Sequence, residues 1–135
     1  MKLRQQWILA GVAALVLTAS AMVCRAALLD GTSWQVKTTP DPAAADKGQK
    51  EFADELTFAD EKFSSKFFLA KGFKPASYRS EIEPNEAEFE VEQTSESEDV
   101  LTWLGEIRGK TIVGRLVWRK DDGTKLAFEF NGAKK

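Results

Sequence analysis

The chain has 135 residues, with no His and a single Cys, so His/Cys zinc sites, nucleophiles activated by His and disulfide scaffolds are all excluded. Apolar residues make up 43% of it and aromatics 10%, with nine Phe and four Trp, which suits a packed domain and not a polar disordered tail. With Lys2, Arg4 and Arg25 set aside as part of an export signal, 16 basic residues face 21 acidic ones, and a domain carrying −5 with no basic run is a poor partner for a phosphate backbone.

The first segment reads as that signal. Lys2 and Arg4 precede an apolar run from Trp7 to Val23, and Cys24 and Ala26 supply the small residues that signal peptidase requires, so cleavage is expected between Ala26 and Ala27. Two alternatives change the location: Cys24 as a lipidated first residue, against which the bulky Val23 argues, or an uncleaved anchor, for which the run is at the lower limit of length. The expectation is a periplasmic or secreted protein with residues 27–135 as one domain and without stable membrane insertion of the mature chain.

From Trp34 onward apolar residues recur with period two in short runs broken by turn residues. The strands predicted are Ser33 to Thr38, Glu55 to Ala59, Lys62 to Ser65, Ser77 to Ile82, Ala87 to Gln93, Val100 to Arg108, Thr111 to Lys120 and Thr124 to Asn131. Between the first two, Asp41-Pro42 and a terminating Gly48 predict a helix of one or two turns. After the third, the Ser65 cap, Lys66 to Ala70, then Gly72 and Pro75 predict a second short helix whose Phe67, Phe68 and Phe73 plug one end of the fold.

The last three strands carry enough turn chemistry to derive their register. A tight turn at Gly109-Lys110 sets Ile107 opposite Ile112, Gly105 opposite Gly114 and Trp103 opposite Leu116. A three-residue turn ending in Gly123 sets Trp118 opposite Leu126, Leu116 opposite Phe128 and Gly114 opposite Phe130, with Gly105 and Gly114 side by side beneath Phe130. One face of the sheet is apolar and no long amphipathic helix is present to cover it. The fold class predicted is therefore all-β, an antiparallel up-and-down meander of eight strands closing into a small barrel with one or two short helices.

Chemistry-bearing residues are few. The carboxylates fall in three clusters, at Glu51, Asp54 and Glu55, along Glu81 to Glu92, and at Glu96, Glu98 and Asp99. The strand acids alternate toward solvent, where raised pKa values for paired-carboxylate catalysis are hard to arrange. The acidic loop lacks the spacing of an EF-hand, so no catalytic residue, metal site or cofactor is expected. The candidate site is the barrel interior: Trp34, Tyr78, Ser80, Gln93, Trp103 and Trp118 combine apolar walls with a few polar groups, the composition of a small-molecule pocket. The plainer reading, that these side chains are the core of a small domain, weighs slightly more.

The opening Leu28-Leu29-Asp30-Gly31-Thr32-Ser33-Trp34, with Gly shortly before a Trp in the first strand of an eight-stranded meander, resembles the lipocalin and avidin-type barrels, in which that Trp closes the barrel base. The spacing here, Gly31-x-x-Trp34, is one residue longer than theirs. Trp103-x-Gly105 followed by Trp118 is similar to the tryptophan-bearing strands of avidin-like proteins. The resemblance implies a barrel topology over nearly the whole mature chain and supplies no activity, like that to small exported bacterial proteins with this pattern. The leading expectation is an exported, monomeric, non-enzymatic barrel that binds a small, partly apolar molecule in its interior. The alternative is a protein-binding or inhibitory module that uses the barrel-end loops over a filled core.

Overall fold

The computed structural model describes residues 29–135; the signal, its cleavage position and Cys24 lie outside the described residues. Eight strands follow in chain order: β1 (Thr32–Pro40), β2 (Phe52–Ala59), β3 (Lys62–Ser65), β4 (Ala76–Glu83), β5 (Glu86–Thr94), β6 (Val100–Arg108), β7 (Thr111–Arg119) and β8 (Lys125–Lys134). Each pairs antiparallel with its neighbour and β8 returns to β1, so the sheet closes into the expected barrel. Helix α1 (Pro42–Asp46) links β1 to β2 and α2 (Lys66–Leu69) follows β3. An up-and-down meander sorts its connections. The tight turns after β2, β4 and β6 share one end with the start of β1. The two helices, the loop after β5 and the turn after β7 share the other, called here the helix end.

Both helices start as their caps dictate. Asp41 accepts the Ala44 N–H at 2.8 Å, and the Ser65 hydroxyl accepts that of Phe68 at 3.2 Å. In α2 the helix turns Phe68 fully inward, Phe73 follows it, and Phe67 stacks on Phe52 with ring centroids 3.8 Å apart, closing the helix end with aromatic surface.

The derived register holds through β6, β7 and β8: Trp103 pairs with Leu116, Gly105 with Gly114, Leu116 with Phe128 and Gly114 with Phe130. The glycine pair is shared differently from the expectation. A Cβ on Gly105 would run into the Phe89 ring and one on Gly114 into the Phe130 ring and the Leu104 carbonyl, so each glycine makes room for its own phenylalanine. Closure depends on a strand longer than the sequence reading assigned. β8 continues past Asn131, and at Gly132, opposite Val36, it lies so close to β1 that a Cβ would meet the Gln35 carbonyl.

β2 is likewise longer, starting at Phe52, and this corrects the reading of Asp54 as a solvated acid. Counted back by twos from Phe58 and Leu56, position 54 faces inward, and Asp54 is buried.

Candidate functional site

The inward positions at mid-barrel are filled by side chains. Leu56, Phe58, Phe63, Leu101, Trp103 and Leu116 each have 0% exposure, so no water-sized space touches any of them. Their rings pack edge-on or tilted: Phe58 on Phe63 at 5.4 Å, Phe63 on Trp103 at 5.0 Å, Trp103 on Phe130 at 5.6 Å. Offset and edge-to-face contacts are the favoured arrangements of aromatic quadrupoles, and they lock the core.

Of the six residues singled out from the sequence, the structure joins two directly. Gln93, buried beside β6, accepts the Trp103 indole N–H on Oε1 at 2.9 Å and donates from Nε2 to the Lys74 carbonyl at 2.8 Å. The amide therefore satisfies the deepest indole and ties the segment before β4 to the core; both of its ends are engaged. Trp118 is half-buried at the helix end, where its indole N–H donates to Asp99 at 3.1 Å and Lys120 lies over its ring at 4.9 Å. Trp34 is buried near the start of β1 and donates to the Thr32 hydroxyl at 3.0 Å. Tyr78 is half-buried, donates to Asp30 at 2.8 Å, and has its pKa raised by burial and by that carboxylate. Ser80, also half-buried, lies on the same inward side of β4.

Two buried polar features were missed. Asp54 accepts from the Ser65 hydroxyl, from Phe67 N–H at 2.9 Å and from Glu55 N–H at 2.7 Å, which anchors α2 to β2. Burial nevertheless dominates and pushes its carboxyl above the usual carboxylate range. Thr38 is fully buried with Oγ1 unpartnered, and its cross-strand neighbours are Phe52 and Phe130.

Among the described residues an open groove lies at the tight-turn end. It measures about 420 Å³ and is floored by Leu29, Ile82, Ala87 and Ile107 and rimmed by Glu83 and Glu86. Asp30 ties the chain down beside it, accepting the Glu61 N–H at 2.8 Å as well as the Tyr78 hydroxyl. The adjoining strand is incompletely paired. β3 has only four residues and meets β4 at two positions, Lys62 with Ser77 and Phe63 with Ala76, whereas β4 pairs with β5 from Tyr78 to Glu83. Arg79 to Glu83 thus overhang with no strand partner on that edge among the described residues. The signal for this was in the strand lengths, since a strand of four residues leaves part of an eight-residue neighbour without a partner on that side.

Among the described residues no group of three or more His, Cys, Asp or Glu side chains is placed to hold a metal, and no helix is long and apolar enough to cross a membrane. Fold and site together define a closed eight-stranded antiparallel meander barrel with a side-chain-filled centre and an open groove at one end. No protein-family model, curated protein or solved structure matches the chain.

Proposed function

We propose that this chain is an exported, non-enzymatic binding module that engages a partner protein with its outer surface and barrel ends, over a core filled by its own side chains. The observation that carries the reading is the 0% exposure of Phe58, Phe63 and Trp103 at mid-barrel: a ligand there would have to displace rings that already satisfy one another. The reading with a small apolar molecule in the interior is correspondingly less supported, because Gln93 and Trp103 spend their polar atoms on each other and on Lys74. Export rests on the signal pattern at Lys2, Arg4, the run to Val23, Cys24 and Ala26. The shared up-and-down topology and the buried Trp34 in β1 keep the resemblance to lipocalin and avidin-type barrels at the level of architecture.

A screen of small hydrophobic compounds by tryptophan fluorescence tests the interior. No saturable change is expected, and a saturable quench of a buried indole would return the site to the barrel axis. Mass spectrometry of the exported protein tests the location, with a chain starting at Ala27 expected. Retained residues 1–26, or a lipid on Cys24, would instead tether the barrel to a membrane.

A further inference from the structure

We propose that the overhanging edge of β4, from Arg79 to Glu83, takes an extended basic segment of a partner protein as an added strand. This rests on the surface-binding reading above and specifies its partner. The first argument is backbone valence. In an antiparallel ladder, alternate residues turn their N–H and C=O to opposite edges, and from Arg79 to Glu83 no strand among the described residues is in register with the edge of β4 that faces away from β5. Proteins usually blunt such edges with lysines, prolines, bulges or a covering element. Within Arg79 to Glu83 there is no lysine, proline or bulge, and the guard is charge: the outward side chains are Arg79, Glu81 and Glu83, two of the three acidic.

Charge selects the occupant. On the outer face Glu81 sits directly opposite Glu88, and Glu88 in turn opposite Glu106; Glu83 faces Glu86 at the turn. Like charges directly across a sheet are unfavourable. The cations nearby are engaged, Arg79 with Glu90 at 3.0 Å and Arg108 with Glu106 at 2.8 Å and Glu86 at 3.4 Å, which leaves Glu81, Glu83 and Glu88 without an ion-pair partner among the described residues. A strand laid beside β4 would place its outward side chains next to Glu81 and Glu83, where Lys or Arg neutralises the row. Its alternate side chains would point inward beside Ser80 and Ile82, toward the groove floored by Leu29, Ala87 and Ile107, where apolar groups fit. The fitting segment therefore alternates basic and apolar residues. A second copy of this chain would bring its own acidic row to the same place.

The test is calorimetry on the full chain with a synthetic peptide alternating Lys and Val, about seven residues long to span the overhang. Saturable binding at one site is expected. A peptide alternating Glu and Val should not bind, and N-methylation of every second Lys-Val peptide nitrogen on the pairing edge should weaken binding by about tenfold or more, because it removes the ladder hydrogen bonds. The variant Glu81→Lys/Glu83→Lys, altered only at exposed positions, should lose about tenfold or more, while Glu96→Lys/Glu129→Lys, the same charge change placed elsewhere, should stay within about twofold. Equal affinity for the methylated peptide, or equal weakening by the distant variant, would reduce the interaction to unspecific attraction and overturn the edge. A dimer in sedimentation that Glu81→Lys/Glu83→Lys dissolves would assign the edge to a second copy and overturn the basic partner. A parallel titration with anilinonaphthalene sulfonate separates the two levels. Saturable uptake that quenches buried tryptophan overturns the surface-binding reading itself, whereas no uptake together with no peptide binding overturns only the edge.

Discussion

The two sides of the barrel are held by different means. Across β6, β7 and β8 every residue from Leu101 to Ile107 has a partner in β7, and the Gly105–Gly114 pair lets two phenylalanine rings lie against the sheet. Across β3 and β4 two residue pairs carry the seam, and no residue of β4 is fully buried. The helix α2, the Asp54 carboxylate and the Gln93 amide reinforce that side from within. Long register therefore makes one wall rigid by backbone pairing, and the other depends on side chains that plug and tether. The unpaired edge of β4 belongs to the side with few backbone constraints, as expected if binding surfaces are drawn from the less constrained part of a fold, while the groove beside it spans the β4–β5 turn and reaches Ile107 and Gly109 of the long-paired wall.

The largest effect should come from the residue both sides share. Trp103, in β6, touches Phe63 of the thin side and Phe130 of the long-paired side. Trp103→Ala leaves a void that neither wall can collapse into and should cost roughly 3–5 kcal/mol, a large part of a small domain's stability. Urea denaturation measures this. A loss below about 1 kcal/mol would mean that the centre holds a ligand or solvent after all, since a ring lining an existing cavity loses little when removed.

Next comes the long-paired wall itself. In Gly114→Val the new side chain meets the Leu104 carbonyl and the Phe130 ring, and a backbone atom cannot swing away, so a loss of about 1–3 kcal/mol or more is expected in thermal melts. Arg115→Val, one residue along and exposed, should stay within about 0.5 kcal/mol. The reverse order would mean that the face assignment is shifted by one residue.

On the thin side, Asp54→Asn tests the tether of α2. An amide cannot accept from Ser65, Phe67 and Glu55 together, and about 1–3 kcal/mol should be lost. The pH dependence has a definite sign. Burial holds the Asp54 carboxyl above its unfolded value, so the folded state binds this proton more tightly. The contribution is complete in acid, below the unfolded carboxylate pKa, and is lost as pH rises through the folded one. The stability gap between wild type and Asp54→Asn should therefore widen as pH falls from neutral into the mildly acid range. A gap that narrows would show that the three donors, and not burial, set the protonation of Asp54.

The contrast also explains what could be read from the sequence. The long-paired wall was legible to single residues because its turns, at Gly109 and Gly123, fix the register chemically, even though Leu104, Val113 and Val117 on the outer side blur the apolar alternation. The thin side has no such turn between β3 and β4. No residue there marks the start of β2, and a strand beginning at Glu55 instead of Phe52 leaves Asp54 outside the sheet among solvated acids. The six interior residues were placed on the correct side of the sheet, but alternation cannot tell a filled barrel from a hollow one. That depends on side-chain volumes summed over all eight strands and on the plug formed by Phe67, Phe68 and Phe73. The groove and open edge arise from stagger between strands of unequal length, a property of pairs of strands that no single run displays.

The smallest effect should be a gain. Glu88 stands in the middle of the row Glu81, Glu88, Glu106 on the outer face where the two walls meet, and it is exposed. Glu88→Lys turns two unfavourable cross-strand neighbours into two favourable ones without touching the core, so the melting temperature should rise by about 2–5 °C at low salt. Because these charges face solvent, 0.5 M NaCl (a Debye length of roughly 4 Å) should remove most of the gain. A melting temperature that falls, or a gain that salt leaves intact, would mean that Glu88 is held by packing and that the acidic row is not an electrostatic liability. If the row is such a liability, the same substitution should weaken the alternating Lys-Val peptide while stabilising the free protein, because its negative charge favours a basic strand and disfavours the unbound fold.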